Sequence, residues 1–174
     1  MSNNDKYYLE LCKTVATNSK CLSRKIGSII VMDKSIISTG YNGPPRGVSP
    51  CDERWGDDKY LFKVASEKEH LIINPLNNQG KCPRYVLGYK SGQGLDICIA
   101  GHAERNALIN AARHGIAVKG ATLYLDTVIP CKDCLIEVVN SGIVEIVCTD
   151  LIVYDEQANY IIEQSGIKIR KYNL

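Results

Sequence analysis

Three side chains in this sequence can hold a metal ion and a fourth can carry a proton beside it. His102 stands in C-I-A-G-H-A-E-R-N (98–106), and Cys131 and Cys134 stand in P-C-K-D-C (130–134). One imidazole nitrogen and two thiolates are three ligands of a tetrahedral zinc. Three protein ligands leave a fourth corner open, which separates a catalytic site from a closed structural one. Glu104, two residues past His102, is the natural proton carrier: a carboxylate beside an acidified water acts as base and acid in turn.

The elements that must position these groups follow from helix geometry. Residues three apart lie about 60° apart around a helix, so Cys131 and Cys134 can grip one ion. Residues two apart lie about 200° apart, so His102 and Glu104 converge only where the chain enters a helix from a loop. Gly101 and the alanine-rich run 103–113 place them at such an entry, and Cys131 follows Pro130 at the start of a second run. Both ligand sets are thus expected at helix N-termini, whose partial positive charge favours thiolates and bound hydroxide.

The rest of the chain is read around this frame. At 174 residues it is long enough for one zinc-dependent domain (1–174) with a real core, and a net charge of +2 gives no global argument for nucleic acid. The start, M-S-N-N-D-K-Y-Y, is polar and no apolar run reaches a membrane-spanning length, so a cytoplasmic protein is expected, in a host's cytoplasm if phage-encoded. Eight cysteines in that setting point to metal before disulfides. Cys12 and Cys148 lie among apolar residues and read as small buried hydrophobes.

Periodicity predicts a helix over 5–17, a hairpin of strands 26–32 and 35–41 around Asp33-Lys34, and then a loop, Asn42-Gly43-Pro44-Pro45-Arg46-Gly47. Residues 48–97 are irregular and read as an insertion at about 48–98 held by something other than packing. From 102 onward the pattern alternates: helix to about 114, strand 121–126, helix 131–141, strand 143–149, helix 155–165, strand 167–171. That order argues for an α/β sandwich with helices on both faces and parallel strands in its second half.

H-x-E followed by P-C-x-x-C is a signature of zinc-dependent nucleobase deaminases. With I-G-S-I-I-V (26–31), S-T-G-Y-N-G-P-P-R-G (38–47), C-P-R (82–84) and G-H-A-E-R-N-A (101–107), the chain resembles the deoxycytidylate (dCMP) deaminase family of the cytidine deaminase superfamily. The resemblance implies a three-layer α/β/α sandwich on a five-stranded mixed sheet. It also implies hydrolysis of dCMP to dUMP and ammonia, feeding dTMP synthesis. In that scheme Glu104 takes a proton from water, delivers it to N3 of the base and later protonates the departing amine. Ser28, Asn42, Ala103 and Tyr154 resemble substrate-binding residues, Asn42 toward the sugar. Gly43, Arg46, Gly47 and Arg113 resemble a site for dCTP, with magnesium, as activator or dTTP as inhibitor, in a homo-oligomer, a hexamer. Asn110 departs from the apolar residue expected on a helix that meets neighbouring subunits.

Cys21, Cys51, Cys82 and Cys98 remain. The resemblance implies a second, structural zinc drawn from their regions, and a long loop system poor in apolar residues gives it a physical motive. Three other functions share parts of this pattern. A polynucleotide deaminase of the tRNA-adenosine kind needs a basic surface, which the near-neutral charge does not supply. A zinc-stabilised binding protein without turnover has no use for Glu104. A deaminase of a pterin-like or riboflavin precursor shares the zinc core as well.

Overall fold

The computed structural model describes residues 3–56, 58–67, 80–90, 92–153 and 155–172. They divide into two compact units. One comprises residues 1–19, 26–42 and 102–174, and the other residues 20–25 and 43–101.

The first unit is built on α1 (Asn3–Ala16), β1 (Gly27–Met32) and β2 (Ser35–Tyr41), and later α4 (Ala103–Arg113), β3 (Thr122–Leu125), α5 (Lys132–Asn140), β4 (Glu145–Cys148), α6 (Glu156–Ser165) and β5 (Lys168–Lys171). Its sheet runs β2-β1-β3-β4-β5, with β1 antiparallel to both neighbours and β3, β4 and β5 parallel. This is the expected five-stranded mixed sheet, with element boundaries within two residues of those read from periodicity. Asp33 and Lys34 both take positive φ, 49° and 62°, as a two-residue type I′ hairpin requires.

Strand alternation sorts the core into two layers. Ile29, Val31, Tyr124 and Val147 pack on one side with Tyr8, Leu9 and Cys12 of α1. Ile30, Leu123, Leu125, Ile146 and Cys148 pack on the other with Ala107, Leu135, Val138 and Ala158, from α4, α5 and α6. The sandwich is therefore three-layered, one helix against three. Cys12 and Cys148 are fully buried in these layers, as their neighbours in sequence predicted.

Two glycines let helices approach the sheet. A Cβ at Gly27 would stand 1.9 Å from the Cys12 carbonyl oxygen, and one at Gly40 would stand 2.2 Å from the Ala107 nitrogen. α4 is also tied down by polar side chains. Ser28 Oγ donates to the Ala103 carbonyl (2.8 Å) and Ser38 Oγ to that of Ala107 (2.6 Å). Asn106 and Asn110, one turn apart on α4, donate through Nδ2 to the carbonyls of Tyr41 and Thr39, both at 2.7 Å. Asn110, out of place by the resemblance, thus has an intramolecular use.

The second unit holds α2 (Lys59–Ser66), α3 (Pro83–Val86) and two short 3-10 turns, Arg54–Gly56 and Leu95–Ile97. Its core is Trp55, Leu61, Ala65, Leu87 and Ile97. Arg54 sits almost fully buried and gathers the unit: it donates to Asp58 through Nε (2.9 Å) and to the Ile97 carbonyl through Nη1 (2.9 Å). No helix among the described residues is long and apolar enough to cross a membrane.

Candidate metal centre and proton carrier

His102 and Cys131 occupy equivalent places in two helices. Each is the N-cap, in extended backbone conformation, of the helix that follows: His102 of α4 and Cys131 of α5. Neither side chain caps its own helix, so both are turned to other use. Cys134 lies in the first turn of α5 and is fully buried.

The three ligand atoms lie within 4.8 Å of one another, and this is the one such group of three or more among the described residues. His102 Nδ1 is 3.5 Å from Cys131 Sγ and 3.3 Å from Cys134 Sγ. Nitrogen and sulfur ligands of a tetrahedral zinc, at ordinary bond lengths, stand about 3.6 Å apart. The donor set and its spacing therefore fit that ion.

Electrostatics at the site follow from burial and close contact. A hydrogen bond from Cys134, then one from His102, hold the Cys131 thiol down at about 4. Donating to Cys131 raises the Cys134 thiol, and burial raises it further. The same Cys131 contact raises the His102 imidazole against its burial. Glu104, in the first turn of α4, is buried, and loss of solvent raises its carboxyl above the ordinary range.

Two further contacts fix the helix starts. Arg105 and Glu137 pair across α4 and α5 at 2.6 Å. Asp155 caps two helices at once: Oδ1 accepts from Gln157 N–H at the start of α6 (3.1 Å), and Oδ2 accepts from Lys132 N–H at the start of α5 (3.1 Å). An aspartate ahead of a helical pattern is a readable N-cap signal. Its second oxygen, given to a helix 23 residues earlier, leaves no trace in the sequence.

The other expected site residues are placed as follows. Ser28 is fully buried with its hydroxyl on the Ala103 carbonyl, and Ala103 is buried beside it. Asn42 is buried at the end of β2, where its Oδ1 accepts from Ile26 N–H at 2.8 Å. Gly43 bridges to Gly101 through a pair of backbone hydrogen bonds, 3.1 and 2.8 Å. Arg46 and Gly47 are exposed in the same unit, Gly47 with φ of 76°, and Arg113 is exposed at the end of α4 in the other. Tyr154 lies outside the described residues.

Cys21, Cys51, Cys82 and Cys98 all fall in the second unit, but no three of their sulfurs come within 4.8 Å of one another. Burial raises the Cys51 thiol; an Arg54 contact at 3.8 Å opposes this, and the neighbouring Cys98 and Cys82 add to it.

The zinc-binding region of cytidine and deoxycytidylate deaminases matches residues 2–150. The chain belongs to this family. It is 31% identical to deoxycytidylate deaminase of Schizosaccharomyces pombe over 168 residues, which cover 97% of this chain and 44% of that protein. It is 33% identical to the deoxycytidylate deaminase of Enterobacteria phage T2 over 171 residues, 92% of this chain and 88% of that one. The chain thus spans under half the length of its fungal relatives in the family and most of the phage one. In fold it is similar to the dCMP deaminase of cyanophage S-TIM5 solved with dCMP and dUMP, with a TM-score of 0.65, 21% identity and 99% of both chains covered.

Proposed function

We propose that this chain hydrolyses dCMP to dUMP and ammonia. The observation that carries the reading is the gathering of His102, Cys131 and Cys134 at two helix starts with Glu104 buried in the first turn of one of them. The substrate class rests on relatives 31–33% identical that are deoxycytidylate deaminases. A zinc ion held by the three ligands would supply an acidified water at its open corner.

The chain's own work is proton movement and orientation. Glu104 accepts a proton from water and delivers it to N3 of cytosine, which makes C4 electrophilic. The remaining hydroxide adds at C4, and Glu104 then takes the proton of the new C4 hydroxyl and passes it to the exocyclic amine. The C4–N bond breaks, so one water is consumed and one ammonia released. The Arg105–Glu137 pair and the Asp155 double cap hold α4 and α5 in register while this happens. Asn42 meets the sugar, with Ser28, Ala103 and Tyr154 lining the base and phosphate region. The test is ammonia release from cytidine, dCMP, dCTP and single-stranded nucleic acid. Preference for single-stranded nucleic acid would overturn the reading, and no release from any of the four would favour a binding protein.

Three extensions belong to the same reading. Residues 48–98 form an insertion in one zinc-dependent domain, stapled by a second zinc on Cys21, Cys51, Cys82 and Cys98. Their collection in one unit supports this, and one zinc per chain by elemental analysis would end it. Gly43, Arg46 and Gly47 take dCTP with magnesium, or dTTP, as effector, and Arg113, in the other unit, is a separate candidate contact for such a nucleotide; unchanged rates with either nucleotide would remove this reading. The chain works in the cytoplasm as an oligomer, for which Ile109 and Ile136, exposed on α4 and α5, offer apolar surface. A monomer mass in solution would refute the assembly.

A further inference from the structure

Two serines face α4 from the sheet, at places where a core strand ordinarily carries aliphatic groups. Ser28 of β1 pairs with Gly40 of β2, and Ile30 pairs with Ser38, so all four lie on one side of the sheet. That side is the layer shared with α4, where Ile30 packs. Ser28 is fully buried and Ser38 nearly so. Their hydroxyls donate to carbonyls four residues apart on the helix, that of Ala103 from Ser28 and that of Ala107 from Ser38.

Neither bond is needed to satisfy a carbonyl, because each of those carbonyls has the N–H four residues on as its helical partner. Nor are the hydroxyls needed for close approach. Gly40 supplies that, since a Cβ there would stand 2.3 Å from the Ala103 carbonyl oxygen, and Ala103, Ala107 and Ala111 offer small side chains in return. What the hydroxyls add is direction. Two anchors one turn apart fix how far α4 advances along the sheet and how it is rotated. The first of them grips the Ala103 carbonyl, which shares one planar peptide unit with the N–H of Glu104. The tilt of that plane decides where the Glu104 side chain departs.

We propose that Ser28 is a positioning residue for the proton carrier, with Ser38 as its second anchor. This rests on the reading of Glu104 as that carrier. Among the residues assigned to the base and phosphate region, Ser28 thus acts through the first turn of α4.

The experiment measures kcat and KM on dCMP, Tm, and amide hydrogen exchange over residues 101–113, for the unaltered protein, Ser28→Ala and Ser38→Ala. Ser28→Ala should lower kcat about tenfold and leave KM within about twofold, because the substrate contacts are kept and only the carrier is displaced. Exchange at the start of α4 should quicken while that of β1 and β2 stays as it was. Ser38→Ala, one turn farther from Glu104, should act in the same sense by a smaller factor. A raised KM with kcat unchanged would show that Ser28 serves substrate binding directly, and a lowered Tm with kcat unchanged would show that it serves the fold alone; either overturns the proposal. Unaltered exchange at the start of α4 would overturn it too. Should Ser28→Ala not fold, Ser28→Cys, which keeps a weak donor of similar size, is read by the same criteria. No turnover of dCMP by the unaltered protein would instead remove the proposed function, and kcat retained by Glu104→Gln would remove the carrier on which this rests.

Discussion

Glu104 has no surface to recover its solvation from, so its proton affinity is set by burial and by what approaches it. Glu104→Gln keeps its shape and removes only the capacity to carry a proton. kcat should fall by a factor of about 10² to 10⁴ or more, with zinc content by elemental analysis and Tm unchanged. A variant that kept a substantial part of kcat would exclude Glu104 as the carrier. At the phosphate end, a charge-assisted bond is worth about 1.5–3 kcal/mol. dCMP should therefore exceed deoxycytidine in kcat/KM by about 10- to 150-fold, and equal efficiencies would indicate a nucleoside substrate. These chemical residues were legible because their types and spacing are rare in combination. The contact of the Ser19 hydroxyl with the Asn42 carbonyl, 23 residues away, was not.

Helix starts do the positioning, and Asp155 shows how one residue can serve two of them. Removing its carboxylate leaves unpaired N–H groups at α5, whose N-cap is Cys131 and whose first turn holds Cys134, and at α6. Asp155→Ala should cost about 1–2 kcal/mol in denaturant unfolding and speed the loss of metal to a chelator. Asp155→Asn, with one acceptor oxygen left, should fall between. Metal loss at the unaltered rate would separate this cap from the ligand geometry. The regular helices of the first unit could be read from period, because each packs one face against the sheet, and its strands from short apolar runs bounded by turn residues. α2 and α3 could not. α2 is eight residues long, and its signals are local: Asp58 accepts from Leu61 N–H at 3.0 Å, and Leu61 and Ala65 sit one turn apart. In α3, Pro83 opens a four-residue helix too short to show any period.

Across the first unit, residues far apart in its sequence meet in one part-buried network. Asp5 of α1 accepts from Tyr124 Oη (2.8 Å) and from Arg170 Nη1 (2.9 Å), and Arg170 Nε donates to Glu145 (3.0 Å). Burial alone would raise the Asp5 carboxyl, but hydrogen bonds from Arg170 and Tyr124, with the Arg170 charge, outweigh it and leave it lowered. A lowered carboxylate contributes stability that is present above its unfolded value, near 4, and is lost as pH falls through the folded value. Stability should therefore drop below about pH 4, and Asp5→Asn should flatten that acid limb and lower stability at pH 7. An acid limb of equal slope in the variant would show that other carboxylates carry it. A link of this kind, spanning 165 positions, has no local signature.

The asparagines of α4 bear on a hazard that any open sheet carries. β2 is an edge strand, and Thr39 and Tyr41 fall at positions of the antiparallel ladder whose carbonyls point away from β1. Such acceptors recruit a foreign strand, which is how open sheets polymerise. Here both already hold an amide, from Asn110 and Asn106. The opposite edge, β5, reads Lys-Ile-Arg-Lys and meets an incoming strand with charge instead. An incoming strand on the β2 side thus meets two acceptors already taken by the protein's own helix, which leaves less of that margin open to pairing.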